Sequence, residues 1–267
     1  MPSTTATILG RDHALVGMIH LEPLPGSPDG CPSIQHVIDR ACDEARMLAT
    51  AGFDAILIEN MHDRPYMLRQ AGPGTVAAMT AVGCAIRQDW TGPLGVQVLA
   101  GDNIGALSVA KACHANFIRA EGYVFASIAD EGLMGEADAG PLLRARRELD
   151  AQEIAIFADI KKKHTSHAIT ADIDIAETAK AADYCRADGV IITGTSTGEP
   201  VDPDEVESVR NAVDLPILIG SGVTSDRIPT LFRHADALII GSALKAGGTW
   251  DRSMDQSRLD AIIAARG

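Results

Sequence analysis

Short apolar runs alternate with helix-compatible stretches along the whole 267-residue chain. Each run is too short for a buried helix and is typical of a strand that is covered on both faces. The predicted strands are residues 14–20, 55–59, 94–99, 117–120, 154–160, 189–193, 217–219 and 237–240. A helix is expected after each strand, and the last is predicted at residues 256–266. Eight such units predict an α/β protein with a single (β/α)8 barrel, the TIM barrel.

Chain length and a weak internal repeat support this fold. Barrels of this type usually need about 250 residues, so residues 1–267 are expected to form one domain. The segments FDAILIE, ADGVIIT and ADALIIG begin at residues 53, 187 and 235 and resemble one another, as strands of similar βα units would. A doubly wound open sheet is the rival, but the G-x-G-x-x-G turn after its first strand is absent.

Charge and cysteine usage restrict the kinds of molecule that this chain can bind and the compartment in which it is expected. The formal net charge of −13 disfavours a nucleic-acid partner on electrostatic grounds. The five cysteines are scattered and never have C-x-x-C spacing, which favours a reducing, cytoplasmic location. No apolar run approaches the roughly 18 residues of a membrane span. A homo-oligomer is left open, because no interface pattern stands out.

The last two predicted strands end in glycine and serine, as GSG at 220–222 and GSA at 241–243. Loops after the last two strands of a (β/α)8 barrel often bind phosphate, with backbone N–H groups at a helix start. The loop after residues 189–193 is rich in hydroxyls and glycine and extends the same cradle. The alternative is that these glycines only make tight turns. The predicted phosphate-binding residues are Thr193, Gly194, Thr195, Ser196, Gly220, Ser221, Gly222, Gly241 and Ser242.

Ionisable side chains gather at the carboxyl ends of the other strands. Alternation along residues 154–160 sends the isoleucines towards the helices and the polar residues into the barrel mouth. We expect Asp159 or His20 to act as the general base and Glu59 as the acid, with Arg119 and Lys161 stabilising negative charge. Lys163 is assigned to solvent.

Three alternatives for these residues stay open. The carboxylates could simply neutralise the cations in a buried ion network. His20, Glu59 and Asp159 could hold a divalent cation, although their spacing has no metal signature and no cofactor is required. Lys161 could form a Schiff base with a carbonyl substrate. The glycine-rich segment 121–140 is expected to be either a lid over the mouth or a surface loop.

The segment VGMIHLEPLPGSP at residues 16–28 resembles the signature of the BtpA family, which includes the SgcQ-like proteins. The likeness continues through DAILIEN, FIRAE, DIKKKH and ITGTSTGEP, so it covers nearly the whole chain. The resemblance implies a barrel of the ribulose-phosphate-binding superfamily. It also implies two functions, an assembly factor linked to photosystem I and a phosphoribosylanthranilate isomerase. The latter enzyme's cysteine base is expected where His20 stands.

The function expected from the sequence is an isomerase or lyase. Its substrate would be a small phosphorylated compound, either a sugar phosphate or a nucleotide-like molecule, bound at the carboxyl ends of the strands. A non-catalytic assembly factor that keeps the phosphate-binding barrel and an isomerase of phosphoribosylanthranilate type are the alternatives.

Overall fold

The computed structural model describes residues 4–194 and 201–266. Eight parallel strands close into a barrel, which confirms the predicted (β/α)8 fold. The barrel strands are β1 (Ala14–His20), β2 (Ala55–Glu59), β3 (Leu94–Gln97), β4 (Phe117–Ala120), β7 (Ala155–Ile160), β9 (Gly189–Ile192), β10 (Ile217–Ile219) and β11 (Ala237–Ile240). Around the barrel they follow the order β1-β11-β10-β9-β7-β4-β3-β2. Consecutive strands pair in register, for example His20 with Glu59 and Glu59 with Gln97, so their carboxyl ends meet at one mouth.

Helices cover the outside of the barrel, except for α1 (Thr4–Leu9), which packs against the barrel interior. The outer helices are α2 (Ile34–Ala51), α3 (Pro73–Asp89), α4 (Asn103–Ala112), α5 (Ala139–Glu148), α6 (Ile175–Tyr184), α7 (Pro203–Ala212), α8 (Ile228–Leu231) and α9 (Gln256–Arg266). Capping fixes several of their ends. The Ser33 hydroxyl accepts a hydrogen bond from the His36 N–H at the start of α2, and Gly52 ends that helix with a left-handed φ of 98°.

Alternate strand residues divide the apolar core into two layers. Ile154, Ile156 and Ile160 pack outward among the helices, as the alternation predicts. Phe117 and Phe157 face inward and meet edge to face with their ring centroids 5.4 Å apart. Leu9 of α1 packs against this inner layer. The inner layer is therefore filled by side chains, and a ligand has room only above it.

Segment 121–140 folds into a β-hairpin, β5 (Ser127–Ala129) with β6 (Gly132–Met134). The hairpin continues into a three-stranded antiparallel sheet through β8 (Thr165–Ser166). Because β5 follows β4 and β8 follows β7, this small sheet stands at the carboxyl end of the barrel. Tyr123 is fully buried and its hydroxyl donates to the carbonyl oxygen of Cys185 at 2.6 Å, so it anchors the segment.

The last two units depart from the regular βα pattern. The helix after β10 is the four-residue α8, and it begins at Ile228, well beyond Gly222. After β11 the chain forms 3-10 turns at Ser242–Leu244 and Ala246–Gly248 before α9. A helix start is expected from the sequence directly after each Gly-Ser pair. After Gly241-Ser242 the chain forms a 3-10 turn instead, and after Gly220-Ser221 no helix begins until Ile228. Within residues 4–194 and 201–266, no helix combines the length and apolar character needed to cross a membrane.

Candidate active site at the barrel mouth

Two adjoining cavities occupy the carboxyl ends of the strands. The first has a volume of about 220 Å³ and lies against the glycine-serine ends of β10 and β11. The second, of about 280 Å³, lies beside the ends of β2 and β3 and is lined by Glu59 and Glu121. Met61, Arg119 and Lys163 line both cavities. One molecule that fills both cavities would therefore contact two basic side chains where they join.

The first cavity, called here the anion cavity, collects the predicted phosphate loops. Residues 220–222 and 241–243 line it together with the side chain of Arg258 from α9. Gly222 has a φ of 63°, which favours glycine. Among the described residues, the backbone N–H groups of Gly222 and Ser242 donate no hydrogen bond within the protein. Backbone donors and a guanidinium around one cavity are the groups that bind a phosphate.

The third predicted phosphate-binding loop, which begins at Thr193, supports the chain that carries Lys163. The Thr193 hydroxyl accepts a hydrogen bond from the N–H of Lys163 at 2.9 Å. Thr193 is buried and is absent from the lining of the anion cavity, so it positions the chain that carries Lys163. Gly194 is buried beside it, and Thr195 and Ser196 lie outside the described residues.

His20 and Glu59 lie side by side on paired strands, with Nε2 and Oε2 3.6 Å apart. The His20 Nδ1–H donates to the carbonyl oxygen of Trp250 at 3.1 Å. Burial, aided by the positive charge of Lys245, lowers the pKa of His20 to about 3. The imidazole is therefore neutral at pH 7, and its proton is on Nδ1. Its Nε2 is left as a proton acceptor that faces Glu59.

Glu59 is a buried carboxylate of the mouth that keeps a proton more readily than an exposed glutamate. Burial raises its pKa, although the positive charges of Arg119 and Lys163 oppose that shift. Its close polar neighbour is His20 at 3.6 Å, which is too long for a hydrogen bond. The imidazole of His20 packs closely against Gly241, where a Cβ would lie only 3.1 Å from Nε2.

Asp159 is held by Arg119. The Arg119 Nε–H lies 3.2 and 3.0 Å from the two carboxylate oxygens of Asp159, and both side chains are buried. Burial opposes the charge on the guanidinium, but Asp159 and Glu59 outweigh it and raise the pKa of Arg119. Burial also raises the pKa of Asp159, against the attraction of Arg119. Asp159 thus serves as the counter-ion of Arg119 in this structure, as in the ion-network alternative.

The second cavity, called here the acceptor cavity, contains a network around Glu121. Glu121 Oε1 accepts from Gln97 Nε2 at 2.8 Å and lies 2.6 Å from Lys162 Nζ. Asn103 fixes the backbone of Glu121 by donating to its carbonyl oxygen at 2.8 Å and accepting from its N–H at 3.0 Å. Glu121 Oε2 and Gln97 Oε1 are buried and have no hydrogen-bond partner among the described residues.

The expected positions of two lysines are wrong. Lys161 does not reach the mouth: its Nζ donates to the carbonyl oxygen of Thr170 at 3.4 Å. Lys163, which was assigned to solvent, lines both cavities instead. The reason is backbone geometry, since Lys161, the residue directly after β7, has a left-handed φ of 44° and the alternation of the strand does not continue through it. Burial, followed by the charge of Arg119, lowers the pKa of Lys163.

The residues proposed as metal ligands do not form a cation site. Within the part of the chain that the structure describes, no three histidine, cysteine or carboxylate side chains converge as metal ligands. Asp159 points to Arg119, away from a set shared with His20 and Glu59. Lys245, whose charge acts on His20, is paired with Glu44: its Nζ lies 2.8 and 2.7 Å from the two carboxylate oxygens of that residue.

The fold and the mouth define the class of protein as a (β/α)8 barrel with its candidate site at the carboxyl end of the strands. Comparison with solved structures agrees on the fold. A tryptophan synthase α-subunit variant from Pyrococcus furiosus is 14% identical, with a TM-score of 0.61 over 95% of this chain and 99% of that one. A thiamine phosphate pyrophosphorylase from the same organism is 13% identical, with a TM-score of 0.55 over 95% of each chain.

The chain belongs to the BtpA family, whose model matches residues 11–266. An uncharacterized mitochondrial protein of Caenorhabditis elegans is 40% identical over 262 residues, which are 96% of this chain and 94% of the relative. The photosystem I biogenesis protein BtpA of Synechocystis is 36% identical over 252 residues, 94% of this chain and 87% of that protein. The family resemblance seen in the signature is thereby confirmed.

Sequence reasoning missed Arg258 and misplaced Lys163. Arg258 lies in the first turns of α9, far along the chain from any strand end, so strand alternation gives no signal for it. The DIKKKH segment did mark the region of Lys163, but alternation selected the wrong lysine. The left-handed residue at 161 could not be recognised, because left-handed φ is uncommon for lysine.

Proposed function

We propose that this protein is an isomerase or lyase of a small phosphorylated compound, working by proton transfer at the mouth of the barrel. The observation that supports it most is the shared lining of the two cavities. Arg119 and Lys163 connect the glycine loops, where an anion would bind, to Glu59. Sugar phosphates and nucleotide-like compounds carry both an anion and proton-bearing carbon centres.

Proton transfer is assigned to Glu59 and His20. Glu59 keeps its proton more readily than an exposed glutamate, and the unprotonated Nε2 of His20 lies 3.6 Å away. The pair can therefore give a proton to one atom of a substrate and take one from a neighbouring atom. Arg119 and Lys163 supply positive charge for a developing oxyanion. Lys163 replaces Lys161 in that role, and Asp159 orients Arg119.

Two other functions follow from particular observations. The name of the Synechocystis relative favours a role in photosystem I biogenesis, in which the barrel would be a non-catalytic scaffold. The mixed acid and base groups at the mouth argue against that reading, since a scaffold has no need of them. Phosphoribosylanthranilate isomerase activity is less well supported, because His20 occupies the position of the expected cysteine base and Asp159 is paired with Arg119.

Ligand-induced thermal stabilisation tests the first step of the proposal. Inorganic phosphate and simple phosphate esters are expected to raise the melting temperature of the wild-type protein in a concentration-dependent way. Arg258→Met should weaken this binding, whereas the matched change Arg144→Met on the exposed face of α5 should leave it unchanged. The absence of stabilisation by any phosphate ester would contradict the proposal and leave the scaffold function.

Catalysis is tested separately through the proton-transfer pair. Once a turned-over phosphate compound is found, Glu59→Gln should reduce kcat by about 10²- to 10⁴-fold, as expected when one general acid–base group is lost. The affinity for phosphate should stay unchanged, because Glu59 lines the acceptor cavity and not the anion cavity. Full activity of the variant would exclude Glu59 from proton transfer.

A further inference from the structure

The acceptor cavity contains two buried oxygen atoms that lack donors. Gln97 and Glu121 are 1% and 0% exposed, and the unpartnered atoms are Gln97 Oε1 and Glu121 Oε2. A buried acceptor without a partner costs free energy, so such atoms are rare unless a ligand or water supplies the donor. Both side chains line the 280 Å³ cavity, which has room for more than single waters.

The orientation of both side chains is fixed by the network around them. Gln97 Nε2 donates to Glu121 Oε1 at 2.8 Å. A flipped amide would put two acceptors against each other, so Oε1 must be the atom left over. Glu121 Oε1 is also 2.6 Å from Lys162 Nζ, which leaves Oε2 as the available carboxylate oxygen. The two acceptors are thus preorganised by contacts that their own side chains make inside the protein.

The charges around the cavity favour neutral donors over a cation. Its lining residues carry both signs of charge: the acidic ones are Glu59, Glu121, Asp130 and Glu131, and the basic ones are Arg64, Arg119, Lys162 and Lys163. Lys162 is paired with Glu121, so an ammonium ligand would compete with a cation that is already in place. Neutral hydroxyl groups can donate to the two free oxygens without adding charge.

We propose that the acceptor cavity is the subsite that binds the hydroxyl groups of a sugar, with Gln97 and Glu121 as its hydrogen-bond acceptors. This inference rests on the proposed function, because it takes the anion cavity to hold the phosphate of the same molecule. It selects phosphorylated sugars, and not phosphate esters with an apolar chain, as the substrate class. Arg119 and Lys163, which line both cavities, lie between the two ends of the ligand.

Calorimetric titration with two phosphate esters of equal chain length tests the subsite. D-Ribose 5-phosphate offers hydroxyl donors, and n-pentyl phosphate offers the same anion without them. The wild-type protein is expected to bind ribose 5-phosphate at least tenfold more tightly, which corresponds to about 1.4 kcal/mol. Equal affinities for the two esters would overturn the subsite and leave the anion cavity intact, whereas no binding of either would refute the proposed function.

A matched pair of variants locates the effect. Gln97→Met keeps the side-chain length but removes the acceptor, and it should erase most of the preference for ribose 5-phosphate. Its affinity for n-pentyl phosphate should stay within twofold of wild type, which also shows that the variant is folded. Gln88→Met, on the exposed face of α3, should change neither affinity. If the preference in the wild-type protein survives Gln97→Met undiminished, then Gln97 is not the acceptor.

If Gln97→Met does not fold, Glu121→Gln carries the same test. The amide keeps one oxygen for Lys162 but turns the free position into a donor, so the preference for ribose 5-phosphate should fall by a similar factor. An unchanged preference in Glu121→Gln would contradict the assignment of Glu121.

Discussion

Protonation of His20 should destabilise this protein as the pH falls. Burial, aided by Lys245, lowers the pKa of His20 to about 3 in the folded chain, against an ordinary value of 6.5. A group with a lowered pKa in the folded state binds its proton more readily in the unfolded chain. The stability that depends on neutral His20 is therefore fully present above pH 6.5 and is lost as the pH falls towards 3.

The size of the effect follows from proton linkage. Each pH unit below the unfolded pKa costs roughly 1.36 kcal/mol until the folded pKa is reached. Between pH 8 and pH 5.5 the loss from this one residue should be about 1.4 kcal/mol. The lower of the two pH values, 5.5, stays above the isoelectric point of about 4.9, which avoids precipitation at zero net charge.

Urea unfolding at pH 8 and pH 5.5 measures this loss when the wild-type protein is compared with His20→Asn. The asparagine amide can still donate to the Trp250 carbonyl oxygen but cannot take up a proton. The fall in unfolding free energy should be about 1.4 kcal/mol smaller in the variant, since the other titrating groups are shared and cancel. His114→Asn, at an exposed position with a left-handed φ of 54°, is the control and should behave as wild type. Equal falls in wild type and His20→Asn would refute a buried, neutral His20.

Two further predictions concern the misplaced lysine and the barrel interior. Pyridoxal 5′-phosphate fixed with borohydride should label Lys163 in a way that inorganic phosphate prevents, because this amine has a lowered pKa and lines the anion cavity. Peptide mass mapping that found the phosphate-protected label on Lys161 would contradict the assignment. Gly95→Ala should lower the unfolding free energy by about 1–3 kcal/mol, since its Cβ would lie 2.1 Å from the ring of Phe117. An unchanged urea midpoint would show that this ring is not packed as described.

The fold was predictable because it depends on repeated local signals. Each short apolar run must be covered on both faces of the sheet, and eight strand-helix units meet that need in a closed barrel, with helices outside and strand side chains filling the interior. The position of the glycine loops was predictable for the same reason, since the carboxyl ends of neighbouring strands must meet. The family was predictable from the sequence too, because the signature at residues 16–28 resembles that of the BtpA family.

The details of the site depended on backbone geometry and on distant contacts. Alternation failed at Lys161, where a left-handed residue ends the regular strand and brings Lys163 to the mouth. Arg258 reaches the anion cavity from the last helix, and only the closed barrel brings that helix beside the strand ends. The pairing of Asp159 with Arg119 could be expected as one alternative, but the choice between base and counter-ion required the distance of 3.0 Å.

A crystal structure of the protein grown with inorganic phosphate would test the central claim most directly. The account predicts a phosphate in the anion cavity, within hydrogen-bond distance of the N–H groups of Gly222 and Ser242 and close to the guanidinium of Arg258. A phosphate bound at another place on the molecule, or an empty anion cavity at a concentration that stabilises the protein in solution, would contradict it.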